Sequence, residues 1–450
     1  MAGQKRADLE ARPIKQNLTI KNCRIWTPNG IQEGSIVIKD GKITRISRES
    51  PDRISNSIDA KGLLALPGLV DVHVHLRGLD LSYKEDFESG TSAAAAGGFT
   101  TVLDMPNTKP PTDSSARLNQ KIKNASTKIL VNVGFHAAAV TDELEIREMA
   151  HQGAFSIKLY MPHPIADLDV NDDQELLRVL KSARHSNIPM TVHAEDPGML
   201  GSASRAKSWF DLARLRSSKA ESHALLRMLK LQKLAKCSLH LCHLTLPSSL
   251  RQVLTSNALR VSTEVTPHHL LLSRRDLKRS GWRAWMVPPL RSKQIAASLL
   301  KMTLAGKVSV IASDHAPHSI DEKRERPATS PPGVPGLETT LPLLLTLVNK
   351  GVLSLERLVQ LLSTNPAKLF HLRGKGKLAL GADGDVVLVD LRKKGKIEPE
   401  RFFSKAKYSP FEGMRTIGAV MTTVVGGRIV YDQGLIVSEP GTGRVLRRGR

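Results

Sequence analysis

Near the start of the chain, short apolar runs alternate with single polar positions and are cut by Asn and Gly: Asn17 to Ile25, Gly34 to Ile38 and Lys42 to Ile46. A period of two with turn residues between the runs predicts short antiparallel strands. The same pattern returns in Ala382 to Val389 and in Val420 to Tyr431, so the two ends of the chain are expected to pair into one small β domain. Between them the pattern changes to short apolar runs separated by helical stretches, which predicts repeated β-α units around a parallel sheet. Eight runs qualify: Leu69 to Val74, Thr100 to Leu103, Ile129 to Phe135, Phe155 to Leu159, Pro189 to Val192, Ser238 to Leu241, Leu259 to Val265 and Val308 to Ala312. Eight units over roughly 300 residues fit an α/β (β/α)8 barrel of the TIM type, which needs about 250. The expected division is 1–66 and 373–450 for the small β domain with a basic tail, and 67–372 for the barrel. The charged, Pro-rich stretch Asp321 to Gly336 has little periodicity and reads as a long loop above the last strand, where loops usually cover an active site.

Composition narrows the function classes. A chain of 450 residues is too long for one hydrophobic core. Its longest apolar runs, such as Leu341 to Val348, fall short of the roughly 20 residues that span a bilayer. Met1 to Lys21 lacks the apolar centre of an export signal, so a cytoplasmic location is expected. Cys23, Cys237 and Cys242 form no C-x-x-C pair, which argues against a disulfide framework or a zinc ribbon and leaves any metal mainly to other residues. The net charge of +23 is spread along the chain, with local concentrations at Arg274 to Arg283 and Arg444 to Arg450, but no nucleic-acid motif accompanies it and aromatic content is only 4%. The charge therefore reads as a solvated surface that draws in acidic metabolites rather than as a nucleic-acid site.

The chemistry concentrates at strand ends. In Asp71-Val-His-Val-His-Leu-Arg, His73 and His75 are two apart on a strand and aim both imidazoles to the same side, a geometry suited to one metal. Lys158, His193, His243 and Asp314 each sit at the C-terminal end of a different expected strand, the face on which barrel enzymes place their chemistry. His151, His185 and His371 lie outside these motifs and read as ordinary histidines.

The segments His73-Val-His-Leu-Arg, Met105-Pro-Asn-Thr, Lys158-Leu-Tyr, Val192-His-Ala-Glu, Cys242-His243, Asp314-His-Ala-Pro-His318, Pro335-Gly-Leu-Glu-Thr and Phe403-Ser-Lys-Ala-Lys-Tyr-Ser-Pro-Phe-Glu-Gly resemble, in order, the dihydroorotase family of the amidohydrolase superfamily. The resemblance implies that His73, His75 and Asp314 bind one zinc and His193 and His243 a second, with Lys158 bridging them as a carbamate. It implies a metal-bound hydroxide as nucleophile, Asp314 as the catalytic proton carrier, and reversible cyclisation of N-carbamoyl-L-aspartate to dihydroorotate in pyrimidine synthesis. Arg77, Asn107, His318 and the backbone near Pro332 and Gly333 would bind this small-molecule substrate. Cys242 and Glu264 match positions that hold a further metal in some relatives, and read equally well as packed strand residues. Two departures stand out: Gly78-Leu79 replaces the family's Glu-Pro, and Val287 stands where Asn or Arg is common. The competing readings are a dihydropyrimidinase, hydantoinase or allantoinase, for whose neutral rings Arg77 has no use, and a non-catalytic scaffold, which the complete set of ligands argues against. A homo-oligomer, or association with another pyrimidine-pathway enzyme, stays open.

Overall fold

The computed structural model describes residues 17–48 and 56–449. The stretch before residue 17, part of the segment lacking an export signal, and Arg450 of the basic tail lie outside the described residues. All eight expected barrel strands form: Leu69–Val74 (β1), Phe99–Asp104 (β2), Asn132–Phe135 (β3), Ile157–Tyr160 (β4), Met190–His193 (β5), Leu239–Leu241 (β6), Val261–Val265 (β7) and Val310–Ile311 (β8). Neighbours pair in parallel and in chain order. Between β3 and β4 the pairing runs through Ala137–Ala138, which lie against Ile157 and Lys158. The barrel closes where Val74 bridges to His315 and the His75 N–H donates to the His315 carbonyl at 2.7 Å. Several outer helices bury a single apolar stripe. In Asp173–His185 the stripe is Leu176, Val179, Leu180 and Ala183, the 3.6-residue repeat of a helix packed on one side.

The two chain ends meet in one nine-stranded sheet, as the alternating pattern predicts. Its joint is the antiparallel pair of Leu64–Pro67 with Val386–Lys396. In the latter strand, Val386 and Leu388 point into the small domain's own core while Val387 and Val389 join the barrel core. A strand with both faces buried reads as a continuous apolar run, which is what Val-Val-Leu-Val is.

One expectation needs correction. The stretch from Asp321 is not loop throughout: Ile320–Arg324 form a helical turn started by a capping box, in which the Ser319 hydroxyl accepts from the Glu322 N–H and the Glu322 carboxylate accepts from the Ser319 N–H. The basic tail runs beneath the barrel. Val445 bridges to Val133, and Leu446 packs on the cluster that holds Val70, Val72, Leu103 and Phe155. Gly443 permits this approach, since a Cβ there would lie 2.1 Å from the Val131 carbonyl oxygen. Among the described residues no helix is long and apolar enough to cross a membrane.

Candidate metal centre and substrate cavity

The C-terminal ends of the strands surround a cavity of about 240 Å3. β1 delivers His73 and His75. The buried Asp71 carboxylate, pushed up to about 7 by burial, accepts from the His73 N–H and the Ser313 N–H, each at 3.0 Å, and so ties the end of β1 to the residues after β8. That tie brings Asp314 between the two rings, with its Oδ1 3.4 Å from His73 Nε2 and 3.2 Å from His75 Nε2. Asp314, Arg77 and His243 all have positive φ, of 47°, 58° and 33°. Non-glycine residues held there cost free energy, and such positions cluster at functional sites.

Hydrogen-bond partners decide which nitrogen each ring presents. His73 Nδ1 is 2.8 Å from Glu264 Oε1 and His75 Nδ1 is 2.6 Å from Asn107 Oδ1, so both Nε2 atoms face Asp314. His193 is reversed: its Nε2 is 2.6 Å from Glu195 Oε2, which leaves Nδ1 facing His243 Nε2 at 2.9 Å. Lys158 is buried, donates to Cys242 Sγ at 3.1 Å, and has no carboxylate partner among the described residues.

The electrostatics separate His73 from the other rings: burial opposes it, but Glu264 and then Asp314 push the His73 imidazole up to about 10. Burial drives the His75 and His193 rings down to about 4, and His243 well below its ordinary value, so these imidazoles are neutral and their lone pairs free. For Asp314 and Glu264 burial acts the other way, but the neighbouring histidines, His73 first, outweigh it and hold both carboxyls well below the usual range. Donor atoms of His73, His75 and Asp314 lie within 4.8 Å of one another, as do those of His73, Cys242 and Glu264. The first set is a mixed nitrogen and oxygen shell open to the cavity, and fits a divalent ion such as zinc. In the second, the Glu264 oxygens already accept from His73, His240 and the His243 N–H, and neither Cys242 nor Glu264 lines the cavity.

The remaining candidates lie together on the other side. Arg77 is buried, donates from Nε to the Pro317 carbonyl at 3.2 Å, and places its NH2 group 3.1 Å from His318 Nε2. His318 Nε2 is also 3.1 Å from the Pro332 carbonyl oxygen. No carboxylate pairs with Arg77 among the described residues. Asn107, His318, Pro332, Gly333 and Val287 line the same cavity. The substituted pair Gly78-Leu79 turns with positive φ at both residues, 64° and 49°, and the Gly78 N–H closes the loop on the Glu85 carbonyl.

Sequence reasoning passed over Tyr160, Ile165 and Met286, which also line the cavity, and Glu195, which orients His193. Tyr160 and Glu195 were within reach, since each stands two residues beyond a selected residue, Lys158 and His193. Ile165 and Met286 lie outside the strands and carry no such signal.

Known proteins agree with this geometry. The model of the amidohydrolase family matches residues 64–430. The chain is 39% identical over 437 residues to the dihydroorotase of Methanothermobacter thermautotrophicus, covering 96% of this chain and 97% of that one. It is 34% identical over 449 residues to the L-hydantoinase of Paenarthrobacter aurescens, covering 96% and 98%. Among solved structures, the L-hydantoinase (dihydropyrimidinase) from Arthrobacter aurescens superposes with a TM-score of 0.92 at 33% identity, covering 96% of this chain and all of the other. With a barrel of eight parallel strands, a metal-competent cluster at its C-terminal rim and matches of this extent, the chain belongs to the amidohydrolase family and is a metal-dependent hydrolase.

Proposed function

We propose that this hydrolase is a dihydroorotase, interconverting N-carbamoyl-L-aspartate and (S)-dihydroorotate plus water in pyrimidine biosynthesis. The observation that carries the reading is Arg77: a buried guanidinium on the cavity wall with no carboxylate partner among the described residues. An unpaired buried cation is costly, and a substrate carboxylate removes the cost. Dihydroorotate carries that carboxylate, whereas dihydrouracil and hydantoin do not.

In this reading His73, His75 and Asp314 hold one zinc, His193 and His243 hold a second, and Lys158 joins them as a carbamate. As a free ammonium Lys158 would repel cations; as a carbamate it offers two anionic oxygens. The metal pair, when bound, polarises the ring carbonyl and makes water acidic enough to supply hydroxide near neutral pH. The chain's residues do the rest. Asp314 takes the water proton and returns it to the departing ring nitrogen. Arg77, His318 and Asn107 orient the carboxylate end, and Ile165, Met286 and Val287 add apolar wall to the same cavity. Glu264 fixes the His73 ring with Nε2 turned toward Asp314, and Cys242 packs beside Lys158. Glu264→Gln is therefore expected to weaken zinc binding about 10- to 100-fold, measured by competition with a chelator, with little change in the fold.

The apolar Val287 on the cavity wall favours one alternative, a hydantoinase or dihydropyrimidinase acting on an uncharged ring. Comparing kcat/KM of zinc-loaded protein on dihydroorotate, dihydrouracil and hydantoin separates the two. Dihydroorotate is expected to lead by at least about 100-fold, the discrimination that a buried charge-paired contact supplies. Preference for the uncharged rings would overturn the assignment and leave the metal chemistry standing.

A further inference from the structure

A second cation beside the cavity has no part in that chemistry. Lys323, in the helical turn Ile320–Arg324, is fully buried. No carboxylate pairs with it among the described residues, and burial pulls its amine well below the ordinary lysine range. Its Nζ donates to the Trp285 carbonyl at 2.9 Å and the Pro331 carbonyl at 3.0 Å, and lies 5.8 Å from the centre of the Tyr408 ring. The two carbonyls belong to different segments, and each directly precedes cavity-lining residues: Met286 and Val287 in one, Pro332 and Gly333 in the other.

Backbone chemistry explains why an amine is needed there. Pro331 and Pro332 have no N–H, so this stretch cannot bind its neighbour through its own donors until Gly333. The Gly333 N–H does so, reaching the Trp285 carbonyl at 3.0 Å. Lys323 supplies the missing donor, sharing the Trp285 carbonyl and holding Pro331. The two residues after Pro331 connect this clamp to substrate recognition. The Pro332 carbonyl meets His318 Nε2, which in turn meets Arg77, and the Gly333 carbonyl accepts from the Tyr408 hydroxyl at 3.4 Å.

We propose that Lys323 is a positioning residue for substrate recognition: its amine clamps segments 285–287 and 331–333 together and so holds the carboxylate end of the cavity in register. The identity of the substrate rests on the dihydroorotase reading, but the clamp is testable without it. In hydrogen-exchange mass spectrometry, a peptide spanning 331–334 reports only the Gly333 and Val334 amides, because proline has none. Slow exchange is expected in the wild type, and Lys323→Met is expected to speed it at least about tenfold while strand β5 keeps its protection. In kinetics, the same variant should raise KM for dihydroorotate about tenfold, with kcat within about threefold and zinc content unchanged. Lys323→Gln, which keeps a shorter pair of N–H donors, should fall between the two.

Unchanged exchange and KM in Lys323→Met would overturn the proposal, as would a fall in kcat that tracks zinc loss. If Lys323→Met does not fold, Lys323→Gln and the wild-type exchange rate decide: fast exchange at Gly333 in the wild type overturns the clamp outright. Failure of the wild type to turn over dihydroorotate would instead defeat the substrate assignment, with the exchange result still deciding the clamp.

Discussion

Lys158→Ala is expected to lower kcat/KM by at least about a thousandfold, the largest effect of any single substitution proposed for this site. The reason lies in charge. Six residues face a shared space, and only Asp314 among the proposed ligands is a carboxylate, while burial keeps His75, His193 and His243 neutral. Under the dihydroorotase reading, two divalent ions in so small a shell would need a second anion between them, and a carbamate on Lys158 would provide it. Without it the pair is under-neutralised, and loss of the water-activating centre removes several kcal/mol of transition-state stabilisation. Steady-state rates with metal analysis by mass spectrometry check the outcome: zinc content should fall with activity. Millimolar short-chain carboxylates should restore part of both, because they return a two-oxygen anion to the gap that the truncated side chain leaves. Retention of full zinc content and activity in Lys158→Ala would rule out the bridging role.

The second large effect is expected at Arg77. Arg77→Ala should raise KM for dihydroorotate by roughly 10- to 150-fold, matching the approximately 1.5–3 kcal/mol of a hydrogen bond to a charged group. Zinc content should not change, since Arg77 lies beyond the ligand pair and, among the described residues, bonds to the Pro317 carbonyl and His318. The discriminating measurement is the uncharged ring. Turnover of dihydrouracil should be equal or better in Arg77→Ala, because the variant no longer buries an unpaired guanidinium against a substrate that cannot neutralise it. Equal losses on charged and uncharged substrates would mean that Arg77 supports the barrel rim instead of reading a carboxylate. Together the two variants separate metal chemistry from recognition, since one is read by zinc content and the other by substrate charge.

Much of this arrangement is legible in one dimension. His73 and His75 could be paired from the sequence because alternate residues of a strand share a side, and Lys158, His193, His243 and Asp314 could be grouped because parallel strands put all their C-terminal ends on one rim. The eight apolar runs and the alternating strands at both chain ends follow from the same local rule, that an element must bury an apolar face. Where the local pattern mixes signals, boundaries moved: the run from Ile129 becomes strand only at Asn132, and the stretch from Asp321 begins as helix because Ser319 and Glu322 cap it.

Other features were decided only by the tertiary structure. Which nitrogen each histidine offers depends on Glu264, 191 residues from His73, and on Asn107, 32 residues from His75. That no carboxylate among the described residues pairs with Arg77 is a fact about everything packed around it. The path of the tail beneath the barrel and the burial of Lys323 between two segments are likewise invisible in a chain where both read as charged surface. Periodicity reports the side to which a residue points, because that is set within a few bonds. The identity of its neighbour, and hence its protonation, tautomer and task, is set by packing between segments far apart along the chain.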